Sequence, residues 1–271
     1  WESNDPTEPS KSYSYRELHQ AVCIFAQALR NEGIAKGDRV CLYMGMVPEL
    51  AIAVLACARI GAIHSVIFGG FSAQSVSDRV NDAQAVAIIT CDGAYRGAKD
   101  IALKSVIDEA LTQCTSVKKV WVYQRTNTAI SIQPGRDILW SDSIDAVNIA
   151  QALSTPAETM EAEDPLFILY TSGSTGKPKG VVHTCAGYMV WTNYTFTQTF
   201  QYQPGWIHFC TADIGWITGH SYILYGPLCA GTTTLMFEGI PTYPSPNRFW
   251  EVVEKHEVDI LYTAPTAIRS L

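Results

Sequence analysis

The sequence predicts an α/β fold in which a largely parallel β-sheet carries helices on both faces. Short unbroken apolar runs, such as residues 85–90 and 166–170, have the composition of strands buried on both sides. Amphipathic patterns of helical length separate these runs along the chain. Strands that alternate with helices in this way form βαβ units, whose strands pair in parallel. With 271 residues and 47% apolar side chains, the chain can bury a large core.

The first half of the chain begins with a helix that has a clear start signal. Ser14 and Glu17 have the spacing of a capping box, and apolar residues then recur at helical spacing until Gly33. Pro48 marks the start of a second helix. The predicted strands of this half are residues 40–44, 64–68, 85–90 and 119–123, and the other helices are residues 72–82 and 103–111. Each strand therefore follows a helix, as parallel pairing requires.

Residues 125–164 interrupt this alternation because they are polar and contain prolines. We predict a surface connection there, with one short helix at residues 142–153. The second half then resumes the alternation of strands and helices. Its predicted strands are residues 166–170, 207–211, 233–237 and 260–262, and its predicted helices are residues 185–200, 217–229 and one that begins at Pro246.

Composition argues against several classes of function. A formal net charge of -7 and an isoelectric point near 5.3 argue against non-specific nucleic-acid binding, which needs a basic face. No run of about twenty apolar residues occurs, so we predict no membrane span. The eight cysteines have no C-x-x-C or metal-ligand spacing, which indicates reduced thiols and a cytoplasmic protein. The mitochondrial matrix stays open, because the chain starts abruptly at Trp1 and its native N-terminus looks missing.

Residues 171–180 carry the strongest functional signal, and they read Thr-Ser-Gly-Ser-Thr-Gly-Lys-Pro-Lys-Gly. They follow a predicted buried strand, which delivers them at its carboxyl end. Glycines let the backbone approach a ligand, while hydroxyls, amides and two lysines offer donors and positive charge. The sequence therefore predicts a loop that binds polyphosphate. A flexible linker is the alternative, since Gly/Ser-rich segments often have no other role.

The spacing excludes a Walker-type nucleotide loop. That motif needs a glycine five positions before its Gly-Lys pair, and Ser or Thr directly after the lysine. Here Thr171 stands five positions before Gly176, and Pro178 follows Lys177. Proline also opposes the immediate helix start that a Walker loop uses.

Residues 171–180 instead resemble the signature loop of the adenylate-forming ligases, the superfamily of acyl-CoA synthetases, peptide-synthetase adenylation domains and luciferases. Two further stretches narrow the resemblance to AMP-forming acetyl-CoA synthetases. Residues 211–222 read Thr-Ala-Asp-Ile-Gly-Trp-Ile-Thr-Gly-His-Ser-Tyr, and residues 262–269 read Tyr-Thr-Ala-Pro-Thr-Ala-Ile-Arg. The resemblance covers the whole chain.

The resemblance implies a domain organisation. Residues 1–271 would form an incomplete N-terminal AMP-binding large domain, with lobes at about residues 36–185 and 186–271 and the first helix packed on the second lobe. The family's small C-terminal domain and its later adenine, ribose and metal motifs would lie downstream of this chain. We therefore expect the chain alone to be inactive.

The resemblance also implies where ATP and the acid bind. The β- and γ-phosphates would contact Thr171, Ser172, Gly173, Ser174, Thr175, Gly176, Lys177 and Lys179. Thr171 and Lys177 would be the catalytic residues, with Thr171 near the Mg²⁺ that the family uses. Trp216, Ile217 and Thr218 would line a pocket for a very short acyl group. Read without the family, Trp216 would more often be a core residue.

A third set of residues would bind coenzyme A. It consists of Gly70, Arg96, Gly97, Ala98, Lys99, Thr218, Thr242 and Ala264. The family often has Arg at the position of Lys99, and Lys lacks the bidentate fork that grips a phosphate. Some relatives carry Asn at the position of Thr242. The alternative is that Arg96 and Lys99 are solvated charges at the start of a helix.

The implied reaction converts acetate, ATP and CoA into acetyl-CoA, AMP and pyrophosphate through an acetyl-adenylate. Two alternatives stay open at this point. The enzyme could prefer propionate or another short acid, or the chain could be a non-catalytic module that binds nucleotides or a partner. Acid-dependent exchange between ATP and pyrophosphate separates an enzyme from a binding module.

Overall fold

A seven-stranded sheet lies at the centre of the structure, a computed structural model that describes residues 1–171 and 177–271. The strands, numbered in chain order, are β1 (Arg39–Tyr43), β2 (Ile63–Val66), β3 (Ala87–Cys91), β4 (Ala94–Arg96), β5 (Lys99–Ile101), β6 (Lys119–Tyr123), β7 (Asp137–Leu139), β8 (Pro165–Thr171), β9 (Lys179–Thr184), β10 (Ile207–Cys210), β11 (Thr233–Leu235) and β12 (Ile260–Tyr262). The spatial order of the large sheet is β7-β6-β3-β1-β2-β8-β9. All its pairs are parallel except β8 with β9, so the predicted α/β class is confirmed.

Two smaller sheets complete the strands that the structure describes. β11, β10 and β12 form a parallel sheet in that spatial order, and β4 and β5 form an antiparallel hairpin. The hairpin, β7 and β9 were not predicted. β7 and the hairpin strands have only three residues each, and β9 is exposed along most of its length. Strands this short or this exposed show no alternation of apolar and polar residues to detect.

Most helices occur where the apolar periodicity predicted them, but two short helices replace the single one predicted at residues 142–153, and the helix at residues 265–269 was not predicted. The helices are α1 (Tyr15–Asn31), α2 (Pro48–Arg59), α3 (Ala73–Ala83), α4 (Leu103–Leu111), α5 (Trp140–Asp145), α6 (Ile149–Ser154), α7 (Cys185–Phe200), α8 (Ile217–Gly219), α9 (Gly226–Cys229), α10 (Arg248–Lys255) and α11 (Pro265–Arg269). A π-helix, His220–Tyr225, joins α8 to α9. The predicted helix at residues 217–229 is therefore one helical run with a widened middle turn.

The first helix, α1, does not pack where the family resemblance implied. Its capping box is present, since the Ser14 N–H donates to Glu17 Oε2 (2.7 Å) and the Glu17 N–H donates to Ser14 Oγ (3.2 Å). Its buried face, which includes Phe25 and Leu29, packs on α2, α5 and α6. The prediction that α1 packs on the second lobe is thus wrong, because its apolar face is covered by helices of the first. The Tyr15 hydroxyl does reach the second lobe, where it donates to the Thr232 carbonyl (2.9 Å).

The main hydrophobic core extends across the predicted boundary between the lobes. Ile223, Tyr225 and Met236 belong to the same buried cluster as the strands of the large sheet. A smaller cluster around Phe209 and Phe249 lies beneath the three-stranded sheet. The division into lobes at residues 36–185 and 186–271 stays a prediction.

Candidate active site

The predicted phosphate loop begins at Thr171, the last residue of β8, at the carboxyl end of this strand of the large sheet. Phe167 is buried within the strand, while Thr171 at its carboxyl end is exposed. The predicted phosphate contacts Ser172, Gly173, Ser174, Thr175 and Gly176 lie outside the described residues. Ligands of open α/β sheets bind beyond the carboxyl ends of the strands, so Thr171 stands where a ligand is expected.

The two lysines of the predicted loop are exposed on its far side. Lys179 is the first residue of β9, and it lies opposite Thr171 in the antiparallel pairing of β8 with β9. Lys177 precedes the strand. Across residues 1–171 and 177–271, neither lysine forms an ion pair with a carboxylate. Both positive charges are therefore available to an anion.

A cleft of about 220 Å³ lies beside the β4–β5 hairpin, and we call it the hairpin cleft. Two of the predicted CoA residues, Gly70 and Arg96, line it, together with Asp213 and Glu238. The Arg96 guanidinium lies over the Phe68 ring at 5.0 Å from its centroid. A Cβ atom at Gly70 would lie 2.7 Å from Arg96 Nη1 and 2.6 Å from the Phe68 ring, so a larger residue here would displace these side chains.

The hairpin carries the remaining residues of the predicted CoA segment. Arg96 and Lys99 lie directly opposite each other in its register, and both are exposed. The alternative of two charges at a helix start is therefore wrong. Gly97 is buried at the turn and has φ +63, whereas Ala98 is exposed. Like charges directly opposite on a sheet repel each other, and a bound anion would relieve that repulsion.

A second cleft, of about 460 Å³, opens beyond the carboxyl ends of β10 and β12, and we call it the Trp216 cleft. Trp216, Thr218 and Ala264 line it. Trp216 is the residue before α8, it is 48% exposed, and its indole packs against the rings of Phe68 (6.0 Å) and Phe71 (6.3 Å). Trp216 is therefore not a core residue.

Two of the predicted contacts lie apart from these clefts. Ile217 lines a different cavity, of about 350 Å³, together with His183 and Trp191. Consecutive residues of a helical turn point in different directions, which separates Ile217 from its neighbours Trp216 and Thr218. Thr242 is exposed and follows Pro241, which does line the hairpin cleft.

Asp213 belongs to the motif at residues 211–222, but no role was predicted for it from the sequence. It lines both the hairpin cleft and the Trp216 cleft, so the two spaces adjoin at this side chain. Its Oδ1 accepts the Gly215 N–H at 2.7 Å. Burial raises the pKa of Asp213 to about 6, against the opposing effects of the Gly215 hydrogen bond and the positive charge of Arg96. A signal was available, because Asp213 closely follows the carboxyl end of parallel strand β10.

A buried ion pair stabilises the wall of the hairpin cleft. Arg125 Nη2 lies 2.7 Å from an oxygen of Glu238, whose side chain is 1% exposed, and 2.7 Å from an oxygen of Glu8. The same guanidinium lies over the Tyr95 ring at 4.8 Å. Burial raises the pKa of Glu238, while its hydrogen bond to Arg125 opposes the rise. Arg125 thus joins the N-terminal segment, the hairpin and the segment after β11.

No group of three His, Cys, Asp or Glu side chains in the described ranges is placed to bind a metal ion. All eight cysteines are free thiols, and burial raises the pKa of Cys41, Cys57 and Cys210 to about 12. Within the described part of the chain, every helix is too short or too polar to cross a membrane.

Comparisons with known proteins identify the family of the chain. A family model described as AMP-binding enzyme matches residues 4–271. The acetyl-coenzyme A synthetase of Nostoc linckia is 55% identical over 271 residues, which is the whole of this chain and 79% of that protein. Proteins of the same name from Alkalilimnicola ehrlichii (55% identical) and Yersinia pestis strain Pestoides F (56%) also match the whole chain. The chain spans 41% of the length of each of these two.

Proposed function

The chain belongs to the AMP-binding enzyme family, and from that premise we propose that it forms part of the N-terminal large domain of an AMP-forming acetyl-CoA synthetase. Such an enzyme converts acetate, ATP and CoA into acetyl-CoA, AMP and pyrophosphate. One observation carries the proposal: the hairpin cleft, which Arg96 lines, and the Trp216 cleft share Asp213 in their walls. A long ligand with phosphates at one end and a thiol at the other suits two neighbouring spaces of this kind.

In the adenylation step, the chain's part is to bind the phosphates of ATP. Thr171, Lys177 and Lys179 are exposed, and in the chain they flank residues 172–176 of the predicted loop. Negative charge gathers on the phosphate oxygens as the carboxylate attacks, and fixed positive charge lowers the energy of that state. Lys177 and Thr171 are the proposed catalytic residues of this step.

Mg²⁺ would bind together with the phosphates of ATP. Protein sites for Mg²⁺ use few side-chain ligands, several waters and substrate oxygens, and the Thr171 hydroxyl is the proposed contact from this chain. The ion would neutralise charge on the departing pyrophosphate.

In the thioester step, CoA would extend from the hairpin cleft to the Trp216 cleft. Arg96 and Lys99 would bind its phosphates, with Gly70 giving the close approach that a larger residue would block. Gly97 and Ala98 would form the turn that holds Arg96 and Lys99 in place, and Thr242 would lie at the edge of the path. Thr218 and Ala264 would line the end that holds the thiol.

The Trp216 cleft would also hold the acyl group. The indole of Trp216 is large and has few rotatable bonds, so it limits pocket length at a small cost in entropy. Thr218 is beside it in the same cleft. Ile217 was grouped with these two residues, and its contact with a different cavity supports a weaker role.

The phosphate contact is tested in the full-length protein by Lys177→Ala combined with Lys179→Ala. Acetate-dependent exchange between ATP and pyrophosphate should fall by about 100-fold or more, because two charges that stabilise the transferring phosphates are lost. Lys118→Ala, at an exposed lysine of another surface, is the matched control and should leave exchange unchanged.

Thermal unfolding is measured on the same variants. Exposed lysines contribute little to folding, so the melting temperature should stay near the parent value. Unchanged exchange in the double variant would remove the assignment. A large fall in melting temperature would favour a structural role for the two lysines.

A further inference from the structure

The N-terminal segment of residues 1–8 binds the back of the hairpin that carries Arg96 and Lys99. We propose that Asn4, within this segment, is a positioning residue for CoA. Asn4 orients the hairpin by bonding to the backbone of Gly97. This inference rests on the proposed function, since it assigns the hairpin to CoA. The family resemblance implied no role for residues 1–8.

The contact between Asn4 and the hairpin consists of two hydrogen bonds to one residue. Asn4 Nδ2 donates to the Gly97 carbonyl at 2.9 Å, and the Gly97 N–H donates to Asn4 Oδ1, also at 2.9 Å. Asn4 is only 5% exposed, and Gly97 is buried. A side-chain amide that satisfies both backbone groups of one residue fixes the direction of that peptide as well as its position.

The other side of the hairpin turn is also in contact. A Cβ atom at Gly97 would lie 2.8 Å from Ile240 Cδ1 and 3.5 Å from Tyr243 Cβ. The turn therefore lies between the N-terminal segment and residues 240–243, with little room to move. Arg96 and Lys99, on either side of the turn, take their directions from it.

The N-terminal segment is itself bound firmly, so Asn4 can act as an anchor. Glu2 is fully buried and lies 2.7 Å from Arg248, 2.9 Å from Lys255 and 2.8 Å from His256. Its backbone forms a parallel bridge with Phe237. These contacts hold the segment at Glu2 independently of Asn4, so replacement of Asn4 alone does not release the segment.

The test uses Asn4→Ala in the full-length protein and compares two half-reactions. Acetate-dependent exchange between ATP and pyrophosphate needs no CoA and should stay within about twofold of the parent. The KM for CoA in the complete reaction should rise about tenfold, because two net hydrogen bonds that orient the hairpin are lost. kcat at saturating CoA should change little, since a positioning loss of this kind is recovered by more ligand.

Two further variants make the test decisive. Asn4→Asp keeps the shape of the side chain, but it loses the donated bond and places a carboxylate oxygen opposite the Gly97 carbonyl. It should therefore raise the KM for CoA more than Asn4→Ala does, and thermal unfolding of both variants shows that each is folded. Thr7→Ala is the matched control within the same segment. Among the described residues the Thr7 hydroxyl bonds only to Asp5, so the KM of this variant for CoA should equal the parent value.

The possible outcomes separate this inference from the function on which it rests. A parent protein with acetate-dependent exchange, and with a KM for CoA that Asn4→Ala and Asn4→Asp leave unchanged, overturns the inference alone. Equal losses in both half-reactions also overturn it, because a purely structural role would lower both together. A parent protein without acetate-dependent exchange overturns the proposed function, and this inference with it.

Discussion

The two clefts of the candidate site are built in different ways. The hairpin cleft is lined by segments far apart in the chain, and buried charged and polar contacts hold them together, as in Arg125 with Glu238. The Trp216 cleft is lined by the segments that follow two neighbouring strands, β10 and β12, which a hydroxyl pair of Thr211 and Thr263 joins at 2.6 Å. Its principal side chain, Trp216, is half exposed.

Because of this difference, we expect substitutions at one cleft to affect the stability of the fold and substitutions at the other to affect the choice of acid. A cleft supported by buried charges holds an anion site in one geometry, and removing one charge leaves its partner unpaired and costly. A cleft lined by exposed side chains on short segments tolerates substitution of those side chains without loss of the fold. Substitutions near the hairpin cleft should therefore change stability, whereas those in the Trp216 cleft should change which acid is used.

The largest effect is expected for Glu238→Ala, behind the hairpin cleft. The variant leaves Arg125 with Glu8 as its remaining acidic partner, and we expect the free energy of unfolding to fall by about 3 kcal/mol. Glu32→Ala breaks the more exposed pair of Lys119 with Glu32 (2.8 Å) and should cost less than about 1 kcal/mol. Urea unfolding of both variants measures the difference. Equal losses would show that burial does not distinguish the two pairs.

The next largest effect should appear in selectivity rather than stability, in the Trp216 cleft. Trp216→Gly in the full-length protein should shift preference from acetate toward longer acids and weaken the use of acetate. Overpacking a rigid pocket costs about 1–3 kcal/mol, so relief of it should change relative rates by roughly ten- to a hundredfold. Pyrophosphate release from competing acids of increasing length measures the ranking.

Trp191→Ala provides the control for this experiment. Trp191 is also half exposed, and it lines the other cavity with Ile217, so its replacement should leave the ranking of acids unchanged. If Trp216→Gly lowers the use of every acid by the same factor, the pocket for the acyl group lies elsewhere.

The smallest effect concerns Asp213, which the two clefts share. Burial raises its pKa to about 6, so the ionised form is disfavoured in the folded protein relative to the unfolded chain. Stability should therefore be greatest when Asp213 is neutral, below about pH 4, and this contribution should be lost as the pH rises through about 6. Part of the residue is accessible from the clefts, which limits the loss to about 1–2 kcal/mol at pH 7.

Asp213→Asn isolates this contribution because the amide oxygen can still accept the Gly215 N–H. The variant should be more stable than the parent near pH 7 and equal to it near pH 4. Urea unfolding at several pH values across this range measures both curves. A constant difference between them would show that Asp213 does not titrate there.

Much of the fold could be read from local patterns in the sequence. The predicted strands at residues 119–123 and 260–262 and the predicted helix at residues 185–200 have the same bounds in the structure. The capping box of Ser14 and Glu17 is also present. These features depend on residues close together in the chain, through periodicity and helix-end hydrogen bonds, so the sequence displays them directly.

The sequence by itself also determined the family, because residues 171–180, 211–222 and 262–269 are contiguous motifs. Only the tertiary structure decided which residues support the site. Asn4 contacts Gly97 across 93 positions of the chain, and Arg125 contacts Glu238 across 113. It also decided that Asp213 joins two clefts and that Ile217 lies apart from Trp216. The physical reason is that buried polar groups must find partners wherever the fold brings them, and no local pattern records a partner so distant in the chain.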